Sequence, residues 1–143
     1  MQHNETLVQV ACAVIVNCDN EVCLGFYSQT HRKEALRGLM STPGGCVDLR
    51  DSSPIAAAWR ETKEETGTVE GLRFVAAETF VAYAIEGERI QTTAVLFSAS
   101  RRYVPQTVEL DTIGRWDWWS TAKSIRDEYT RTAHRRIDGM TPL

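Results

Sequence analysis

The sequence predicts an α+β fold in which helices pack on a mixed sheet, and three observations carry that expectation. Two β-branched apolar runs stand near the N-terminus, a capped helix follows them, and a β-prone hairpin and a tryptophan-rich strand come after the helix. With 143 residues, 43% of them hydrophobic, one domain can bury an ordinary core without disulfide or metal staples.

Residues 8–16 (VQVACAVIV) form the first strand and residues 21–27 (EVCLGFY) the second, with Asn17, Asp19 and Asn20 supplying turn chemistry between them. The pair reads as a β-hairpin with at least one buried strand. A polar, basic stretch over residues 28–37 leads into LMSTPGG at residues 39–45, where Pro-Gly-Gly ends any strand before it. Ser53 before Pro54 starts a helix, because the serine hydroxyl accepts an orphan backbone N–H and proline's fixed φ suits the first helical position. That helix runs to Thr66, and Gly67 supplies its left-handed stop. A second hairpin follows, residues 72–85 and 90–99, broken at Glu86-Gly87-Glu88. A short strand at residues 116–119 (WDWW) then precedes Ser120, a cap for a last helix ending near Arg131.

Composition excludes several classes. No early apolar run approaches the roughly 18 residues that span a bilayer, and the opening MQHNETLVQV lacks the order of a secretory signal, so a soluble, cytoplasmic protein without membrane contact is expected. A net charge of −3 argues against binding nucleic acid through a broad basic surface. Cys12, Cys18, Cys23 and Cys46 form no C-x-x-C pair and have no histidines at zinc-finger spacing, so they read as buried free thiols.

The chemistry lies on the helix. Glu61, Glu64 and Glu65 stand at i, i+3 and i+4, which puts three carboxylates on one face within about 6 Å of each other. No lysine or arginine sits four residues after Glu64 or Glu65, so the patch needs another partner. Magnesium suits it, being a hard cation that takes one or two carboxylates together with water and substrate phosphates. A solvated acidic face is the plainer reading of paired glutamates, and the neighbouring loop weighs against it. Gly44-Gly45 offers backbone bare of side chains, able to approach a metal or phosphate closely.

The stretch from Gly44 to Thr68, GGCVDLRDSSPIAAAWRETKEETGT, resembles the box of the Nudix family, G-x5-E-x7-R-E-U-x-E-E-x-G-U with U a bulky aliphatic. Arg60 to Gly67 carries the R-E-x-x-E-E-x-G segment intact. Gly45 and Arg60 stand one residue further apart than the box requires, and the early box glutamate falls on Asp51 or Ser52. Two U positions hold Thr62 and Thr68. Since that glutamate mainly supports the loop in the family, its alteration points to a reshaped loop, with slow catalysis, an unusual substrate or a catalytically weak nucleotide-binding module as consequences.

The resemblance implies an α/β/α sandwich with a mixed central sheet, and a hydrolase that cuts a phosphoanhydride bond with bound Mg2+, or Mn2+ in its place. Glu61 and Glu65 become metal ligands, Glu64 a ligand or its neighbour, and Gly45 lends a carbonyl, while Arg60 orients Glu61. Arg60, Glu61 and Glu64 are thus the candidate catalytic residues, an ionised glutamate or metal-bound hydroxide completing the attack on phosphorus. A further acid from a loop beyond the box falls on Glu109 or Asp111, with Glu86 and Glu88 as weaker options. The order of a W-x-W strand and a final helix is similar to the small branch acting on (deoxy)nucleoside triphosphates, which would yield a monophosphate and pyrophosphate. Nucleotide sugars and dinucleoside polyphosphates stay open as substrates, and the resemblance makes a homodimer common.

A nucleobase needs an apolar platform and a few polar groups to read its edge. Phe26, Tyr27, Leu39, Met40, Tyr83, Trp116 and Trp118 are candidates, each weighed against core packing; Trp116 and Trp118 share one strand face, so burial and base contact are both open for them. Where the family commonly has a basic residue ending the second strand, this chain has Phe26-Tyr27, and Arg32, Lys33 and Arg37 could hold phosphate instead. An ordinary solvated loop is the better reading for at least one of those three. Arg131, His134, Arg135 and Arg136 read as a solvated end.

Overall fold

The computed structural model describes residues 7–83, 87–108 and 113–120. Seven strands and one α-helix are defined there: β1 (Val8–Asn17), β2 (Glu21–Tyr27), β3 (Met40–Ser41), β4 (Gly44–Cys46), α1 (Pro54–Thr66), β5 (Leu72–Tyr83), β6 (Arg89–Ala99) and β7 (Ile113–Ser120). The strands form one mixed sheet in the order β3-β2-β1-β6-β5, with β4 added to β1 and β7 to β2. The expected last helix, Glu86, Glu109, Asp111 and the basic cluster at residues 131–136 lie outside the described residues.

Strand β1 is the spine. It pairs in parallel with β6 along its whole length, Val8 opposite Ile90 through Asn17 opposite Ala99, and antiparallel with β4 from Val10 to Cys12. The expected hairpin of β1 and β2 is present only at its turn. Asn17 Oδ1 accepts the N–H groups of Asp19 and Glu21, and Asn20 takes a left-handed φ of 57°. Beyond Val16 opposite Val22 the strands part, and β2 pairs instead with β7, from Glu21 opposite Ser120 to Tyr27 opposite Ile113. Sequence adjacency had favoured the hairpin, while the long-range partners had no local signal.

Alternation on β1 turns Ala11, Ala13 and Ile15 inward, and all three are fully buried. Two small residues there let α1 lie close, with Ala57, Ala58 and Thr62 packed at 0% exposure. Trp59 lays its ring on Phe97 of β6, centroids 4.4 Å apart. Thr62, at a U position of the box, is as buried as an aliphatic residue would be, because its hydroxyl donates to the Ala58 carbonyl at 2.7 Å and leaves no unpaired polar group. Thr66 does the same to Thr62 at 2.8 Å and accepts the Tyr103 hydroxyl at 2.9 Å. The helix begins and ends where expected: Ser53 Oγ accepts the Ala56 N–H at 3.1 Å, and Gly67, φ 81°, donates to Lys63.

All four cysteines are free thiols. Cys23 is buried in β2, which together with the charge of Asp117 pushes its thiol up to about 12; burial also raises Cys12. Cys18 and Cys46 are exposed, against the expectation of buried thiols, because one lies in the β1–β2 turn and the other at the end of β4. A chromogenic disulfide reagent at pH 8 should therefore titrate two thiols quickly in the native protein and all four after denaturation. Native Cys23 reacting as fast as Cys46 would contradict the packing of β2.

Candidate active site

The strand β4 and helix α1 bring the box together. Pairing of Ala11 with Gly45 and Cys12 with Gly44 presses the loop onto β1, and α1 packs on both strands. A Cβ built on Gly44 would sit 2.6 Å from the Ala11 carbonyl oxygen and 2.8 Å from Cys12 Cα, so only glycine fits against this backbone. At Gly45 the obstruction is different in kind, since a Cβ would land 2.6 Å from Cδ and Oε1 of Glu61. The bare face of Gly45 is thus the cradle in which the Glu61 carboxylate rests.

Arg60 organises the acids. Its Nε and Nη2 donate to Oδ1 and Oδ2 of Asp51, both at 2.8 Å, and Nη2 also donates to the Cys46 carbonyl at 3.1 Å. Nη1 donates to Glu61 at 3.0 Å and to Glu64 at 3.2 Å. The positive partner missing four residues after the glutamates is therefore supplied four residues before Glu64, on the same helix face. Glu65 is held by the loop itself, its Oε2 accepting the Gly44 N–H at 2.7 Å. The loop is not left without its acid: Asp51, at 4% side-chain exposure, takes the guanidinium, and Ser52 does not.

Charge follows this geometry. Arg60's hydrogen bonds, reinforced by the Asp48 N–H, hold the Asp51 carboxyl at about 2, and Arg60 is in turn raised chiefly by Asp51. Burial pushes Glu61 up, with Arg60 pulling against it. Among the described residues no three acid side chains converge into a finished cage. A donor set of that kind suits a divalent cation that keeps part of its coordination for water and phosphate oxygens. Glu61, Glu64, Glu65 and the Gly45 backbone are the groups that would hold it.

The remaining candidates are dispersed. Arg32 is exposed in the loop after β2, whereas Arg37 is drawn into that loop, its Nε donating to the His31 carbonyl at 2.7 Å. Met40 pairs with Phe26 across β3 and β2, and Tyr83 stands opposite Arg89 at the end of β5, half exposed. Trp116 is buried, its Nε1 donating to the Glu65 carbonyl at 3.1 Å, and so ties β7 to the C-terminal end of α1. Trp118 contacts Tyr103 edge-on, and Trp119 does the same to Phe26. Sequence reading missed Tyr103, whose only signal was an aromatic in a polar loop. A cleft of about 310 Å³ between the β1–β2 turn, Arg101, Tyr103 and Trp118 contains none of the box residues, so the carboxylates and not a cavity mark the site.

Comparison with known proteins decides the family. The NUDIX domain model matches residues 6–137. The chain belongs to the NUDIX domain family. The enzyme class expected from the box, a pyrophosphohydrolase, stands with that membership. This Nudix chain is similar to a C. elegans Ap4A hydrolase in binary complex, at 24% identity and TM-score 0.68, covering 91% of this chain and 93% of that one. It is similar to a MutT protein from Methanosarcina mazei Go1 at 20% identity and TM-score 0.64, covering 96% and 100%. A bifunctional NMN adenylyltransferase/ADP ribose pyrophosphatase from Francisella tularensis, complexed with AMP and a Mn ion, aligns at 21% identity and TM-score 0.66, over 86% of this Nudix chain and 36% of that protein. At these identities the likeness speaks for the fold. No curated protein matches the chain. No helix among the described residues is long and apolar enough to cross a membrane.

Two outcomes test the site as built. Gly44→Ala should lower Tm, since backbone must move, while Gly45→Ala should leave Tm near wild type and displace only the flexible end of Glu61, read as weakened Mn2+ binding. Equal Tm losses would contradict the cradle. The second concerns pH. Asp51 is depressed from 3.8 to about 2, so its contribution to folding is complete above about pH 4 and is lost as pH falls through 2. Asp51→Asn should melt below wild type at pH 7, with the gap closing as the pH is lowered towards 2.

Proposed function

We propose that this Nudix domain hydrolyses a (deoxy)nucleoside triphosphate to the monophosphate and pyrophosphate, using Mg2+, with Mn2+ able to replace it. The observation that carries the reading is the carboxylate group of Glu61, Glu64 and Glu65, set against Gly44 and Gly45 and oriented by Arg60. The bound ions supply charge neutralisation on the phosphates and acidify a water molecule. The chain's own part is to hold the carboxylates in place beside the loop, which Arg60 does for Glu61 and Glu64 and the Gly44 N–H does for Glu65. Glu109 or Asp111 would add the acid from beyond the box. Arg32 is the candidate for holding phosphate, and Met40 and Tyr83 for the base; Arg37 and Trp116 would act through the His31 and Glu65 carbonyls they bind.

The intact acid partner of Arg60 favours turnover over a silent nucleotide-binding module. The W-x-W strand favours triphosphates; the likeness to an Ap4A hydrolase keeps dinucleoside polyphosphates in any assay. A cytoplasmic setting and a homodimer complete the proposal. Phosphate and pyrophosphate release should be measured on triphosphates, nucleotide sugars and dinucleoside polyphosphates, with Mg2+ present and then chelated. Triphosphates should release pyrophosphate only with the metal, and Glu65→Gln should abolish that release while the protein stays folded. Turnover of a different class would replace the substrate; a wild-type rate in Glu65→Gln would remove the metal assignment.

A further inference from the structure

The Nudix box of this chain differs from the family spacing in two ways, and the structure relates them. Counted from Gly45, five residues precede Asp51, so the acid holds the early glutamate's place and the extra residue lies between Asp51 and Arg60. Both sides of that gap are fixed. On one side, Asp51 closes a turn: its N–H donates to the Asp48 carbonyl at 3.1 Å and its Oδ2 accepts the Asp48 N–H at 2.9 Å. On the other, Ser53 caps α1 at Ala56 and Pro54 opens the helix. Only the exposed Ser52 stands between the two anchors and sets their separation.

We infer that the short acid and the extra residue are one matched unit: Ser52 places the Asp51 backbone so that a carboxylate one methylene shorter than glutamate still grips Arg60 at both oxygens, and Arg60 in turn fixes Glu61 and Glu64. Asp51 is thus a positioning residue. A glutamate at 51 would carry its carboxylate about 1.5 Å further, into a guanidinium already at 2.8 Å. Removal of Ser52 alone would draw Asp51 away from Arg60. Both changes together recreate the family spacing, with five residues before the acid and seven after it.

The inference rests on the metal-site reading proposed above, and its test separates the two. Wild type, Asp51→Glu, deletion of Ser52 and the combined variant are compared by Mn2+ binding to the free protein, followed by electron paramagnetic resonance, and by kcat and KM. Each single change should weaken Mn2+ binding about 10–100-fold, as loss of a ligand's supporting partner does, and lower kcat more than it raises KM. The combined variant should recover most of both losses, which a merely structural loop would not do. Asp51→Asn, which keeps the shape and loses the charge, should also weaken Mn2+ binding. A combined variant no better than the singles, Asp51→Glu equal to wild type, or Asp51→Asn with wild-type Mn2+ affinity would each overturn the inference. Should no substrate be turned over by wild type, the proposed function fails while the Mn2+ pattern still decides this point.

Discussion

The site depends on one guanidinium. Arg60 presents five N–H donors in a rigid plane, and every one has an acceptor: both Asp51 oxygens, the Cys46 carbonyl, Glu61 and Glu64. A single side chain therefore sets the distance between the loop and two of the three acids on the helix. Lysine could not do this, having a compact charge without the fork. Like-charged neighbours on one helix face would otherwise push apart, and Glu61 is additionally disfavoured as an ion by its burial.

Behind that charged front, α1 is held by groups with no net charge. Thr62 and Thr66 return their hydroxyls to the helix backbone, Tyr103 closes on Thr66, and Ala57 and Ala58 lie flat against the alanines of β1. A ligand could therefore repel or attract the front carboxylates without loosening the packing that supports them. Tight packing on one face and charged acids on the other are compatible because the helix separates them by its own width.

Much of this was legible in the chain. Ser53-Pro54 and Gly67 gave α1 its limits, since caps act through local backbone chemistry, and apolar, β-prone runs gave β2 and the β5–β6 hairpin for the same reason. The parallel pairing of β1 with β6 and the antiparallel pairing of β2 with β7 were not legible, because their partners lie far apart in sequence and any β-prone run could have served. At the site, the glutamates' spacing was readable and the early glutamate's place was narrowed to Asp51 or Ser52, but the grip of Asp51 on Arg60 was not legible. Side-chain length and loop length trade against each other in space, and a pattern that counts positions sees both as defects. Trp116 was ambiguous for a related reason, as a strand face does not reveal whether it meets ligand or helix until α1 is placed.

Glu65 is held at both ends, its carboxylate by the Gly44 N–H and its backbone carbonyl by the Trp116 indole. The carboxylate is the end that a cation would draw on. Were it to turn from the Gly44 N–H towards an ion, that amide would be left as a donor at the same opening, where a phosphate oxygen could take the acceptor's place. The Gly44 amide would then serve the helix in one state and an anion in the other.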